Sequence, residues 1–519
     1  MRRFLFGIER MALAKVTSCA VVGLDSYPVD VEVDIGQGLP NFLIVGLPDK
    51  AVEESKERVR AALKNSSANF PISRITVNLA PADIKKEGPS YDLPIAVAIL
   101  LAEQQILSNQ FQDTLVIGEL SLDGKLRHVN GILPMVMMAK EKEYQRVIVP
   151  AVNVKEAILV EGIEVLPVET LQDLILFAKN EKEIAPASRP DQLEIPEPSF
   201  EYDFAYIKGQ EHAKRALEIA AAGGHNVLFT GPPGSGKTLL ARSLPSILPR
   251  MEREEALEVT KLYSIAGLLP HDVPVVSVRP FRAPHHTASD IALVGGGQWP
   301  RPGEITLAHR GVLFLDELPE FPRSVLEVLR QPLEDGVVTV SRATGSLTFP
   351  AQFILVAAQN PCPCGYLNDP VKPCICSPSQ VLRYQKKISG PLLDRIDLHA
   401  EVPRVKVEKL TDEQVAESSS AVRARVERAR KRQRQRFAGR PLKTNAEMSA
   451  RDLKEFCVLN NEALTLIKTA LVKLHLSARA YHRVLKLSRT IADLSESDEL
   501  LPQHIAEALQ FRPKEQVNY

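Results

Sequence analysis

Two stretches of this chain bring together the residue types that polyphosphate chemistry requires. The first is "HNVLFTGPPGSGKTLLARSLPSIL". Its run Gly231, Pro232, Pro233, Gly234, Ser235, Gly236, Lys237 and Thr238 fits the spacing G-x-x-x-x-G-K-[ST]. Glycines so placed let backbone N–H groups turn inward around phosphate oxygens at a helix N-terminus. Lys237 would then reach the β and γ phosphates, and the Thr238 hydroxyl would bind Mg²⁺. The second stretch is "GVLFLDELPEF", where Asp316 and Glu317 follow the apolar residues Val312–Leu315. Asp316 is positioned to hold Mg²⁺ and Glu317 to polarise an attacking water. An acidic pair after a strand is common in ordinary turns and gains meaning only beside a phosphate loop. A third apolar run, "FILVAAQNPC", ends in Gln359 and Asn360. A polar residue there can orient the water against the terminal phosphate, although Asn360 alone would read as a turn residue.

Four of the six cysteines stand directly behind Asn360. "NPCPCGYLNDPVKPCICS" carries Cys362, Cys364, Cys374 and Cys376 as two C-x-C pairs. Such pairs can close a tetrahedral zinc site with Zn–S of about 2.3 Å, which would be structural because no ligand position stays open. Gly365, Asn368 and Pro373 would supply the turns. Free thiols in a reducing compartment, or a redox pair, are the alternatives. The doublet His285–His286 in "APHHT" suits loop hydrogen bonding or DNA contact better than a metal, since neighbouring imidazoles do not easily face one ion.

These residues need a scaffold. The sequence predicts a strand at 225–230 followed by a helix at 239–248, a second strand at Val312–Leu315, and a third ending at Gln359. A β-hairpin is expected at 336–349, with Arg342 at its tip. Hydrophobic residues are 45% of the 519 and charged residues 25%, ordinary for a globular protein of several domains. No apolar run approaches the roughly 20 residues of a membrane span. The opening "MRRFLFGIERMALAKV" is a poor export signal, so a cytoplasmic location is expected, and Met11 is a possible start. The Pro- and Glu-rich segment 180–204 reads as a linker, and composition shifts again near 405. The expected blocks are 11–179, 205–402 and 405–515. Net charge is zero, which argues against a uniformly basic nucleic-acid binder. Locally, residues 421–443 carry ten Lys/Arg and one Glu, either a nucleic-acid contact or a solvated helix face.

The phosphate loop, "FLDE", the hairpin ahead of the asparagine strand and "GPLLDRIDLHAEVP" at 390–403 together resemble the AAA+ ATPases of the helix-2-insert type, magnesium chelatase-like branch. "RPFRAPHHTASDIALVGGG", "PRPGEITLAHRGVLFLDELPEF" and "AAQNPCPCG" resemble the ComM/YifB family in particular, and the likeness spans nearly the whole chain. The resemblance implies an α/β P-loop core with a helix-2 insert and a helical lid. It implies sensor 1 at Asn360, and an arginine finger at Arg395 that has nothing to reach in its own subunit and acts on the neighbour's nucleotide. In "SARAYHRVLKLSRTIADL" it implies sensor 2 at Arg479. It also implies ATP and Mg²⁺, a homo-hexamer, and ATP-driven movement on single-stranded or branched DNA, as a helicase or branch-migration motor during natural transformation. Trp299 and Arg301, with the hairpin, are the kind of aromatic and basic residues a strand-gripping pore uses.

"APADIKKEGPSYDLPIAVAILLAEQ", with "GELSLDGKLRHVNGILPMVMMAKEKEYQRVIVP" behind it, resembles the α+β Lon protease domain. That fold activates a serine, here Ser90, with a lysine expected near Leu133. No lysine lies between Lys125 and Lys140. Unless another base substitutes, Ser90 is expected to cap the following helix, and the domain to act as an assembly or DNA-contact collar. Two other functions remain in view: a magnesium chelatase-type motor subunit, which the N-terminal block and the cysteines disfavour, and a Lon-like protease or scaffold.

Overall fold

The computed structural model describes residues 13–188, 200–270, 273–296, 301–342, 345–405 and 416–513. Met11, Trp299, the hairpin tip at 343–344, the Arg342 side chain and residues 189–199 of the expected linker lie outside the described parts. The chain divides into two compact units: Met1–Ile195 with Leu257–Val276, and Pro196–Ala256 with Ser277–Tyr519.

Period-two alternation builds the first unit. In the strand Asp25–Gly36, Val29, Val31 and Val33 are fully buried while Asp30 and Glu32 between them are part-exposed. The sheet has seven strands, in the order Asn41–Val45, Arg74–Ala80, Asp25–Gly36, Leu13–Val22, Thr114–Val116, Arg146–Pro150, Glu164–Val168. Asp25–Gly36 is antiparallel to both its neighbours, and the remaining pairs are parallel. Against it packs the helix Asp92–Ala102, DLPIAVAILLA, which is apolar on every side and buried on nearly every side. Each of its fully buried Leu, Ile and Val side chains contributes about 1.5–3 kcal/mol.

The start of that helix corrects the expectation for Ser90. The N-cap residue is Tyr91, and no side chain caps the helix, because Ser90 sits inside a short 3₁₀ turn, Pro89–Tyr91, one residue too early. Asp92 is the polar anchor instead. Its Oδ2 accepts from Arg58 Nε at 2.6 Å and from Leu120 N at 3.2 Å. Burial pushes the Asp92 carboxyl up, and the Arg58 guanidinium pulls it back down. Leu133 is fully buried, and Lys86, the fully buried lysine nearest Ser90 in sequence, spends its ammonium on the Pro81 carbonyl.

In the second unit five parallel strands lie in the order Phe281–Arg282, Val312–Leu315, Ile354–Gln359, Val227–Thr230, Leu398–Glu401. The strand ahead of the phosphate loop starts two residues later than expected because His225 and Asn226 have other work. His225, fully buried, bonds Asp397 through Nδ1 (3.1 Å) and the Thr490 hydroxyl through Nε2 (2.8 Å). Asn226 donates to the Arg395 carbonyl (3.0 Å) and accepts from Leu355 N (2.8 Å). The hairpin forms as Val337–Arg342 paired with Gly345–Pro350.

The basic block folds mainly into the helix Ser419–Arg436, and its charge is largely neutralised within the unit. Arg425 pairs with Glu218 and Glu417, Arg428 with Glu496, Arg432 with Asp498, Arg434 with Glu252, and Arg436 with Asp493. Arg430 donates to the Ala221 carbonyl, and Arg440 pairs with Asp452 and Glu455. The exposed pairs are worth only about 0–1 kcal/mol each; burial of Val422, Val426 and Ala429 holds the helix down. The block is thus a solvated helix face whose cations are largely paired within the unit.

The helix Arg253–Ala266 leaves the second unit and ends in the first. There the Ser264 hydroxyl donates to Glu156 Oε1, which also accepts from Leu133 N at 2.8 Å. Burial pushes the Glu156 carboxyl up, opposed by its hydrogen bonds, and no cation among the described residues lies within ion-pair distance. A folded value above the unfolded one means that this group's stabilisation is complete below the unfolded pKa of about 4.3. It is lost as pH rises through the folded value. Glu156→Gln keeps an acceptor and removes the charge, so the first unit should melt higher than wild type at pH 8, by about 2–4 °C per kcal/mol relieved. The difference should vanish near pH 4. Thermal unfolding from pH 4 to 8 checks this, and equal melting at both ends would refute it.

Candidate nucleotide site and cysteine cluster

The C-terminal ends of the parallel strands open into a cleft of about 430 Å³. Its lining includes Pro233, Gly234, Ser235, Gly236, Lys237, Thr238, Asp316, Glu317, Gln359 and Asn360. The helix Lys237–Ile247 starts inside the motif, with Gly236 in the left-handed region at φ 94°, so that Lys237 and Thr238 lie in its first turn. At the loop's entrance a Cβ on Gly231 would stand 2.1 Å from the Val402 carbonyl oxygen, so only glycine fits.

The Lys237 ammonium is buried and donates to the carbonyls of Gly231 (2.8 Å) and Pro232 (2.9 Å) and to Asn360 Oδ1 (3.2 Å). Desolvation lowers its pKa, and the Asp316 and Glu317 charges partly restore it. The Thr238 hydroxyl donates to Asp316 Oδ2 at 2.8 Å. These are hard oxygen donors in the arrangement that suits Mg²⁺. Glu317 occupies φ 52°, a left-handed conformation uncommon for a residue with a side chain, and its carboxylate is exposed to the cleft. Two neighbours were not anticipated as site residues. His286 Nδ1 lies 3.6 Å from Glu317 Oε2, its ring tilted against His285 with centroids 4.1 Å apart. Gln359 donates to the Thr230 hydroxyl at 3.1 Å, tying the asparagine strand to the phosphate-loop strand. The histidine doublet was visible in the sequence; the acid it faces, thirty-one positions on, was not.

Arg395 and Arg479 do not line this cleft. They gather elsewhere in the unit. Arg395 pairs with Glu334 and donates to the Pro391 carbonyl at 2.7 Å. Its partner Glu334 belongs to the helix Arg330–Asp335, which ends beside it. Arg479, exposed, lies 4.0 Å from Asp394. The buried Arg483 donates to the carbonyls of Asp394 (2.8 Å) and Ile396 (3.1 Å), pinning the helix Ala478–Leu494 to this loop.

The four cysteine sulfurs all lie within 4.8 Å of one another. Cys362–Cys364, Cys364–Cys374 and Cys362–Cys374 are 3.4, 3.5 and 3.6 Å apart. Sulfurs about 2.3 Å from a central Zn²⁺ form a tetrahedron with edges of about 3.8 Å, so the cluster fits the ion. Burial pushes the Cys362 thiol up to about 12. Desolvation also acts on Cys364, but N–H groups of Tyr366 and Ile375 outweigh it and hold that thiol down to about 6. The loop is braced by Asp369, which accepts from Val371 N and Lys372 N and pairs with Arg404 at 2.8 Å. It also touches the phosphate loop: a Cβ on Gly365 would meet Pro233 Cδ at 2.5 Å.

Residues 203–410 match the family model "Magnesium chelatase, subunit ChlI", residues 31–153 match "Subunit ChlI of Mg-chelatase", and residues 416–512 match the ChlI C-terminal model. The competence protein ComM of Haemophilus influenzae is 44% identical over 97% of this chain and 98% of its own length. The uncharacterized protein YifB of Escherichia coli is 43% identical over 97% of each. The magnesium-chelatase 38 kDa subunit of Rhodobacter capsulatus is 30% identical over only 31% of this chain and 50% of its own length.

Gly365 offers a test of the contact between the cysteine loop and the phosphate loop. Gly365→Ala adds a methyl against Pro233 at φ 84°, an overpacking cost of about 1–3 kcal/mol. Titration with a fluorescent ATP analogue should show roughly 5- to 100-fold weaker binding. Adding Pro233→Ala should restore much of it. Unchanged affinity in the single variant would show that the two loops are independent.

Proposed function

Because the chain belongs to the ComM/YifB family of magnesium chelatase-like proteins, we propose that it is an ATP-driven DNA motor that works as a ring. In this reading Lys237 exchanges its carbonyl partners for the β and γ phosphates, and the N–H groups of the glycine loop cradle them. Thr238 and Asp316 hold Mg²⁺, which neutralises phosphate charge. Glu317 takes the proton of the attacking water, steadied by His286, while Asn360 moves from Lys237 to orient that water. Arg395, and Arg479 beside it, complete the neighbour's site, since charge developing on the transferred phosphoryl group calls for cationic donors. The cysteine loop holds one structural Zn²⁺ through four thiolates.

The observation that carries the proposal is the division of the site within one chain. Phosphate-loop and acid residues share a cleft, and neither arginine lines it: Arg395 stands on a separate loop and Arg479 at the start of the helix packed against that loop. Head-to-tail repetition around a closed ring joins the two halves, and six is the expected copy number. DNA as the substrate is supported by the competence protein among the relatives, with helicase or branch-migration activity during natural transformation as the expected task. A chelatase-type motor subunit is the second reading, favoured by the name of the matching models. It is weaker, because the chelatase subunit corresponds to less than a third of this chain. Peptide cleavage is not expected, given an apolar Leu133 where the resemblance calls for lysine and a Lys86 ammonium engaged by the Pro81 carbonyl.

The decisive experiment measures ATP turnover and displacement of a labelled strand from forked and four-way DNA. Lys237→Ala should lose nucleotide binding, Glu317→Gln should bind and trap ATP, and Arg395→Ala should bind without turnover. Mixing Arg395→Ala with Lys237→Ala subunits should recover part of the activity at interfaces that pair an intact Lys237 with an intact Arg395. Elemental analysis should find about one zinc per chain. A protein that stays monomeric with ATP and DNA, and leaves every substrate intact, is not this motor.

A further inference from the structure

With the arginines of Ser419–Arg436 largely committed to internal partners, uncompensated cations stand elsewhere in the second unit. A cleft of about 650 Å³ opens beside the turn that carries Glu317. Glu320 and Arg323 stand on one wall; Leu382, Arg383, Lys386 and Lys387 stand on the other. Lys387 is neutralised by Glu320, Nζ to Oε2 3.0 Å. Arg323, Arg383 and Lys386 are exposed and form no ion pair among the described residues. Three free cations around a concavity select a ligand with repeated negative charge. Leu382, 44% exposed, adds an apolar surface suited to sugar and base faces.

Both walls connect to the hydrolysis site. Glu320 N donates to the Glu317 carbonyl at 2.7 Å, so one wall is the catalytic turn itself. The other wall is the helix Pro378–Gln385 and the lysines after it, and Gln385 donates to the Pro361 carbonyl at 3.4 Å, next to Asn360. A polyanion drawn between the walls bears on the spacing of Glu317 and Asn360. We propose that this cleft binds the phosphodiester backbone of single-stranded nucleic acid and that its occupation promotes ATP hydrolysis. The proposal rests on the reading of the chain as a DNA-dependent ATPase and adds where the strand is held and sensed.

The test uses the full chain and a fluorescein-labelled oligothymidylate of about 20 nucleotides, the span of one or two single-strand binding folds. Anisotropy is measured across a salt series, and ATP turnover with and without the oligonucleotide. Arg383→Gln/Lys386→Gln should weaken binding tenfold or more and flatten the log–log salt dependence by about 1–2, the loss of two phosphate contacts at roughly 0.7 each. Stimulation by DNA should fall in parallel, with binding of a fluorescent ATP analogue retained as the sign of an intact fold. Arg323→Gln, on the opposite wall, should act in the same direction. Wild-type binding and stimulation in both variants would overturn the proposal. Displacement of the oligonucleotide by polyglutamate of equal charge would also overturn it, assigning the cleft to an acidic protein. Loss of ring assembly with undiminished DNA binding per ring would make the cleft an interface between copies. If the wild type neither binds the oligonucleotide nor responds to it, the DNA-motor reading itself fails, and the cleft assignment falls with it.

Discussion

A lysine ammonium buried among carbonyl dipoles is the constraint around which the second unit is arranged. Lys237 has three oxygen partners and, among the described residues, no carboxylate within ion-pair distance. Desolvation works against its charge, and the two acids across the cleft only partly compensate. A cation in that position favours an anionic partner. The neighbouring residues shape the cleft around it: Gly231 brings the loop against Val402, Gly236 turns the helix end toward the cleft, and Asn360 supplies the third and longest hydrogen bond. Asp316 is close enough to bond Thr238 but does not take Lys237 for itself.

The arginine loop is bolted to the same sheet from behind. Asn226 bridges the Arg395 carbonyl and the strand Ile354–Gln359, and His225 joins Asp397 to the helix Ala478–Leu494 through Thr490. Two consecutive residues before the phosphate loop therefore connect the loop bearing Arg395, the strand Ile354–Gln359 and the helix Ala478–Leu494. Movement at one of them is felt at the others through hydrogen bonds that are buried or part-buried and hence cost free energy to break. Glu334 extends this connection to the hairpin: it precedes Val337–Arg342 by two residues and pairs with Arg395.

The cleft was legible in the sequence because Asp316, Glu317, Gln359 and Asn360 stand at or just past the ends of short apolar strands, and the glycine loop with Lys237 and Thr238 follows another. The cysteine loop was legible for a similar reason, four thiols and their turns within fifteen residues. What escaped notice depends on partners distant along the chain. The charge of 421–443 looked available because Glu218, Glu252, Glu417, Glu496 and Asp498 are scattered, and only folding collects them. His286 acquires its relevance from Glu317, and Arg395 its restraint from Glu334. Ser90 looked like a cap because the turn before the helix could not be counted to the residue. Nothing in Arg253–Ala266 marks the point where it changes allegiance, since its composition is uniform while its surroundings are not.

That shared helix and the strand order also govern how the chain can be made. All seven strands of the first sheet have left the ribosome before the phosphate-loop strand appears, yet the first unit is complete only when Leu257–Val276 follows. Val227–Thr230 must then wait, with both apolar edges bare, for Ile354–Gln359 and finally Leu398–Glu401. Pairings so far apart in sequence close late and slowly, and an unpaired hydrophobic strand is a site of misassociation in the meantime. The first unit thus matures across the birth of the second, and the nucleotide cradle is the last part of the sheet to be sealed on both sides. Any slowing of elongation beyond residue 230 lengthens the period in which that strand is exposed and calls for a chaperone.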